Sequence, residues 1–310
     1  MNLYSFKPAD TLFFRGAEPM NIGENHTATA NFPPPARTLE GALRTTILKQ
    51  NKIPVEQYYD NNTIDGELLD IIGQADKKAG FSVIGPLFDL DKTTYVPAPY
   101  SWFFDKSDEK KDKVKIYKSR LIKTSLIRTS LKNIFWAKGE QGELETLGGK
   151  WISLSDLYSQ ENIVSKKEID DFYSVENRTG IALDSNRSVR GHHLYSFRHA
   201  RLNKNVELIF GVDKNLPISD KGVLNLGAEQ RFGLYCKIAN IDFNMGGSGL
   251  FMSVSQTAGS EQANGSVVAT GKIQYQGGWD MKKGFHKTMT GFFPPGSVFT
   301  KKLNDNFIEI

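Results

Sequence analysis

Arg178, Arg187, Arg190, Arg198 and Arg201 fall in one short stretch with His192, His193, His199 and Tyr195, and the acid set among them is Asp184. Guanidinium forks match phosphate oxygens bidentately, and an interleaved aromatic ring is a surface on which a base can stack. The chemistry this spacing offers is a grip on nucleic acid. Two blander readings stand beside it: a basic loop with no defined ligand, and a Tyr195 that packs within a strand rather than against a base. His192 and His193 have no cysteine or carboxylate companions at zinc-site spacing, so no metal and no cofactor is expected.

Smaller basic groups flank this stretch. Arg37 and Arg44 are one heptad apart with Glu40 between them. That pattern fits a surface ladder of ion pairs, worth a few tenths of a kcal/mol each. It also fits phosphate capture at a helix N-terminus, where free N–H groups and the dipole favour an anion. Arg37 is the better placed of the two. Leu226 to Gly233 has the composition of a phosphate-cradling loop, with Gly227 able to take a positive φ and Arg231 supplying charge, though an ordinary strand connection has the same composition. Trp279 would pack under a loop bearing Lys282, Lys283 and Lys287, lysines suited to phosphate contacts that carry no sequence information.

Behind these residues is a chain of 310 residues with 39 Lys+Arg against 35 Asp+Glu, a formal net charge of +4. So small an excess means that any polyanion site is local. Cys236 is the single cysteine, which excludes an internal disulfide. The first residues lack a signal peptide's apolar core, and no run reaches the roughly 18 apolar residues of a membrane span. A soluble, cytoplasmic protein is expected.

Leu3–Phe6 and Thr11–Phe14 are β-rich runs separated by Pro8-Ala9-Asp10. Phe32-Pro33-Pro34-Pro35 is a stiff lead into a helix ending at Gln50, with Leu39, Ala42, Leu43, Thr46 and Ile47 at helical spacing and Gly41 reading as a point of close backbone approach. A second helix is expected over Asp65–Lys78, then strands at Phe81–Phe88 and Thr94–Pro97. This alternation, without a dinucleotide-type glycine signature, favours an α+β sandwich of the ferredoxin-like kind. The mixed charges of Asp105–Lys118 read as a solvated loop or hairpin tip. A short helix starts near Ser153 or Ser155. Strands are expected at Leu194–Leu202, Val206–Val212, Leu234–Phe243, Val267–Tyr275 and Ser297–Leu303. The division between halves is placed at residues 170/171, giving domains 1–170 and 171–310.

Read together, Phe13-Phe14-Arg15-Gly16, His26 and Phe32-Pro33-Pro34-Pro35-Ala36-Arg37-Thr38-Leu39-Glu40-Gly41-Ala42-Leu43-Arg44 resemble one family. It is the RAMP-superfamily subunit of type III-B CRISPR effector (Cmr) complexes that caps the 5′ end of the guide RNA. Arg178 to Asp184 with Leu194-Tyr195-Ser196, Leu226 to Gly233, and Gly278-Trp279-Asp280 through Lys287 to Val298 are similar to further blocks of that family, in the same order. Ala228 stands where the family has glycine, and Glu18 where a basic residue is expected.

The resemblance implies two ferredoxin-like (RRM-related) domains packed together, with long glycine-rich and basic loops that hold the 5′ handle of the CRISPR RNA. It implies contact with the large polymerase-like subunit, the adjacent backbone RAMP subunit and target RNA near the handle end, and no catalysis. A hairpin carrying Arg187, Arg190 and His192 at its tip would be the thumb laid across the guide. The RNA-facing residues are then Arg15, His26, Arg37, Arg44, Arg178, Arg187, Arg190, His192, Tyr195, Gly227, Arg231, Trp279, Lys282, Lys283 and Lys287. Two alternatives remain: a metal-independent RAMP endoribonuclease using His26 or His192, and the equivalent subunit of a type III-A complex.

Overall fold

The computed structural model describes residues 1–15, 27–28, 32–60, 64–75, 77–122, 134–139, 142–241, 243, 247–280 and 284–310. The architecture is mixed α/β with mostly antiparallel sheets. The chain forms two compact units of interleaved segments. One holds Met1–Pro86, Phe172–Asn240 and Tyr275–Thr290, the other Leu87–Asp171, Ile241–Gln274 and Gly291–Ile310. The chain passes between units at 86/87, 171/172, 240/241, 274/275 and 290/291, so each unit takes residues from both sides of 170/171.

In the first unit Asn2–Pro8 lies between Phe232–Ile238 and Val206–Val212, antiparallel to both, and Lys221–Asn225 pairs with the outer side of Phe232–Ile238. Leu3, Tyr4, Phe6, Leu208, Phe210 and Tyr235 are buried there. The helix Ala36–Gln50 buries Leu39, Ala42, Leu43, Thr46, Ile47 and Leu48, the stripe its periodicity marks. Each large aliphatic side chain so buried contributes about 1.5–3 kcal/mol. The helix also ties to the sheet by polar bonds: Gln50 Nε2 donates to Tyr235 Oη at 2.8 Å, and Lys49 Nζ to Asn225 Oδ1 at 2.8 Å.

The second unit contains the strands Thr93–Pro97, Trp151–Ser153, Ile163–Lys167, Lys113–Lys118, Trp102–Asp105 and Leu144–Thr146, in that order. Phe293 packs with Ala263, Phe299 and Phe307 in a buried cluster of this unit.

Several local expectations change. The second helix covers only Gly66–Ile72, stopped by Gly73 at φ 69°, and a helix the sequence reading missed runs over Val55–Asp60. Of Asp105–Lys118, the residues between Asp105 and Lys113 form the tip of a hairpin, but Lys113–Lys118 is a strand: Val114 and Ile116 are buried, while Lys113 and Lys115 alternate outward. Thr11–Phe14 is no strand; Leu12 makes a single bridge to Ala200 and the run is otherwise buried loop. Val267–Tyr275 divides into Val267–Ala269 and a strand from Gln274 to Gln276. Nothing lies within 4 Å of a Cβ built on Gly41, so that glycine serves no close approach.

Candidate nucleic-acid interface

The arginine-rich stretch forms a long antiparallel hairpin, Tyr173–Leu183 against Val189–Leu202, joined by Thr27–Ala28 as a short parallel third strand. Asp184 is spent on shaping the turn. Its Oδ1 accepts from the N–H of Asn186 at 2.9 Å and of Ser188 at 2.8 Å, which lets Arg187 take φ 61°. Arg187 and Arg190 are exposed at this distal end. The side chains of His192 and His193 lie outside the described residues, and only their place in the strand is given.

Strand register puts Glu176, Arg178 and Gly180 on one face with His199, Phe197 and Tyr195. On that face an aromatic row runs from Tyr195 to Phe197 (5.0 Å between ring centroids), Phe13 (4.9 Å) and His199 (5.1 Å). Tyr195 is 37% exposed and its ring lies over Gly180, where a Cβ would come within 2.4 Å of it. The tyrosine is therefore both things the sequence allowed: held within a strand and open on one side.

At the root of the hairpin the charges are opposed by more than Asp184. Asp10 accepts from Arg178 (2.8 Å), Arg201 (2.9 Å) and Arg231 (3.1 Å). Glu176 accepts from Arg178 Nε at 2.9 Å and Arg201 Nε at 2.7 Å, and Glu229 from Arg231 at 3.1 Å. Asp10 and Glu229 are remote from the stretch in sequence, which is why the pairing was not legible there. Hydrogen bonds from Arg178 and then Arg201 hold the Asp10 carboxyl far below the usual carboxylate range. Those from Arg201 and Arg178 lower Glu176 in the same way.

The loop at 226–231 closes beside this root. Gly227 has φ 106°, and Glu229 and Gln230 both have φ 56°, as the centre of a type I′ turn requires. Ala228 N–H donates to the Phe13 carbonyl at 2.8 Å, so that part of the loop faces protein. Arg44 is likewise engaged internally, donating to Glu40 at 2.8 Å, the Lys77 carbonyl at 2.7 Å and Tyr58 at 3.4 Å. The Arg37 guanidinium donates to the Gly277 carbonyl. Arg15 and Lys287 are exposed. Trp279 lies in a two-stranded ribbon with its side chain undescribed, and His26, Lys282 and Lys283 lie outside the described residues. Among the described residues no group of three metal-ligating side chains occurs, and no helix is long and apolar enough to cross a membrane.

His199 is fully buried. Its Nδ1 is 3.1 Å from Thr11 Oγ1, and Nε2, which has no hydrogen bond among the described residues, is 3.7 Å from Glu229. Burial, reinforced by the Arg231 and Arg178 charges, lowers its pKa. The unfolded chain then binds protons more readily than the folded one, so stability is fully present above the unfolded value near 6.5 and falls as pH drops below it. A second loss begins below about 4, where the unfolded chain's Asp10 and Glu176 carboxyls take up protons that the folded ones resist. Urea midpoints measured across this range should show both steps, and His199→Gln should remove the first.

The fold is shared with chains of solved type III-B Cmr-beta complexes. A chain of the cryo-EM structure of the type III-B Cmr-beta bound to cognate target RNA matches with TM-score 0.58 at 17% identity, over 96% of this chain and 86% of that one. A second such structure, bound to cognate target RNA and AMPPnP, matches with TM-score 0.57 at 14% identity, over 96% and 85%. No curated protein sequence matches. The family model for the CRISPR-associated protein Cas_Cmr3 matches residues 4–256, and the chain belongs to that family.

Proposed function

We propose that this protein is the non-catalytic subunit of a type III-B CRISPR effector that binds the 5′ handle of the CRISPR RNA and joins the large polymerase-like subunit to the backbone RAMP subunits. The observation that carries this reading is the hairpin Tyr173–Leu202. It presents Arg187 and Arg190 at an exposed end and, on one face, a tyrosine ring open to stacking. Family membership supports the assembly role. The sheet around Asn2–Pro8 with the helix Ala36–Gln50 against it is compatible with a ferredoxin-like domain, and we extend that reading to the second half of the chain.

Basic groups held at separate places grip a short RNA weakly, because ordering a flexible strand costs entropy at each contact. The isolated chain should therefore bind handle RNA weakly and no better than a scrambled RNA, and become handle-selective when mixed with the large subunit. Binding of the two RNAs with and without that subunit tests this; full discrimination by the isolated chain would refute the shared site. The RNA should also be recovered uncut. A site-specific product lost in His26→Ala or His192→Ala would establish the nuclease reading instead.

A further inference from the structure

The ion-pair cluster at the hairpin root joins three pieces of chain. Asp10 comes from the segment after the first strand, Glu176, Arg178 and Arg201 from the two hairpin strands, and Glu229 and Arg231 from the following loop. Three acids meet three arginines, so the cluster adds nothing to the net positive charge. Its backbone is joined as well: Leu12 and Ala200 exchange N–H···O bonds of 2.8 Å in both directions, Ala9 N–H donates to the Phe232 carbonyl at 3.0 Å, and Ala228 N–H to that of Phe13. Below the charges His199 stacks on Phe13 and meets Thr11.

Beyond this root the hairpin becomes more open. Ile181, Leu183, Val189 and Leu194 are all about half exposed, between 45% and 60%. The ion pairs and backbone bonds that tie the hairpin to other segments of its unit gather at this root, around Asp10.

We propose that Asp10 is a positioning residue for RNA binding. By holding Arg178, Arg201 and Arg231 together, its carboxylate fixes the hairpin to the 226–231 loop, so that a negative charge strengthens binding to a polyanion. The proposal rests on the hairpin being the RNA surface. A single exposed ion pair would be worth little, but a carboxylate shared by three guanidiniums from separate segments constrains all of them at once. Simple electrostatics makes the opposite forecast: neutralising an acid raises the net charge and should tighten RNA binding.

The test compares full-length wild type, Asp10→Asn, Asp10→Glu and a control, Asp220→Asn. The control neutralises an 83%-exposed carboxylate whose only ion pair among the described residues is at 3.8 Å, to Lys237, outside the cluster. Two readouts are taken: hydrogen exchange of the amides in residues 173–202 without RNA, and affinity for a uridine-rich single-stranded RNA oligonucleotide. Circular dichroism confirms that each variant is folded; Asp10 is 44% exposed, so the isosteric change leaves no cavity. Asp10→Asn should speed exchange in the hairpin and weaken RNA binding about five- to tenfold. Asp10→Glu should recover part of both, and Asp220→Asn should leave binding unchanged or slightly tighter. Unchanged hairpin exchange in Asp10→Asn overturns the clasp, whatever the RNA result. Faster exchange with undiminished binding overturns the proposal through the reading beneath it, by removing the hairpin from the RNA site.

Discussion

Replacing Arg187 and Arg190 together by alanine is expected to weaken single-stranded RNA binding about a hundredfold, with the fold unchanged. The two side chains are exposed at the distal end of the hairpin, and neither makes an ion pair among the described residues, in contrast to Arg178, Arg201 and Arg231. A hydrogen bond to a charged group contributes about 1.5–3 kcal/mol, so losing one at each position costs about 3 kcal/mol at the lower end. Each phosphate neutralised steepens the log–log salt dependence by about 0.7 on a single strand. The double variant should therefore show a slope shallower by about 1.4, read from filter binding or fluorescence anisotropy at several salt concentrations. An unchanged slope would remove these arginines from the phosphate contacts.

The second large effect falls on stability. Gly227 stands at φ 106°, and a Cβ there would lie 3.0 Å from the Phe13 carbonyl oxygen and 3.4 Å from Arg231 Cβ. Its neighbours Glu229 and Gln230 already occupy the left-handed region. The sequence argued for a glycine that gives a phosphate access to the backbone; in the structure a side chain at 227 would meet the Phe13 backbone. Gly227→Val is thus expected to destabilise the protein by about 2–3 kcal/mol, through backbone strain with no neighbouring side chain able to yield. Gly41→Ala is the internal contrast: its Cβ meets nothing within 4 Å, and the helix should gain about 0.8–1 kcal/mol. Denaturant midpoints for the pair decide this. A neutral Gly227→Val would show that the loop relaxes freely.

The contrast between these two glycines shows what the chain made legible and what it hid. The positive φ at Gly227 agrees with its being glycine, whereas those of Glu229 and Gln230 have no such signal, and the helix Ala36–Gln50 follows from its apolar spacing. The hairpin was anticipated only as what the family resemblance implies; the residues themselves gave part of its second strand, Leu194–Leu202, and nothing of the first, Tyr173–Leu183. What sits beside those residues was not readable. Asp10 and Glu229 reach the arginines from segments far along the chain, and no local pattern announces such a meeting. The partners of Arg44 were hidden for the same reason: Lys77 and Tyr58, on other segments, take up its donors. The strand Lys113–Lys118 was missed because its lysines hide the two-residue alternation of Val114 and Ile116.

Photo-cross-linking tests the central claim most directly. Guide RNA carrying 4-thiouridine in its 5′ handle would be assembled into the effector complex, irradiated, and the linked peptides sequenced. Handle positions should link to this chain within the hairpin, in peptides that contain Arg187, Arg190 or Tyr195. Links from the handle confined to other subunits, with none in residues 173–202, would contradict the assignment.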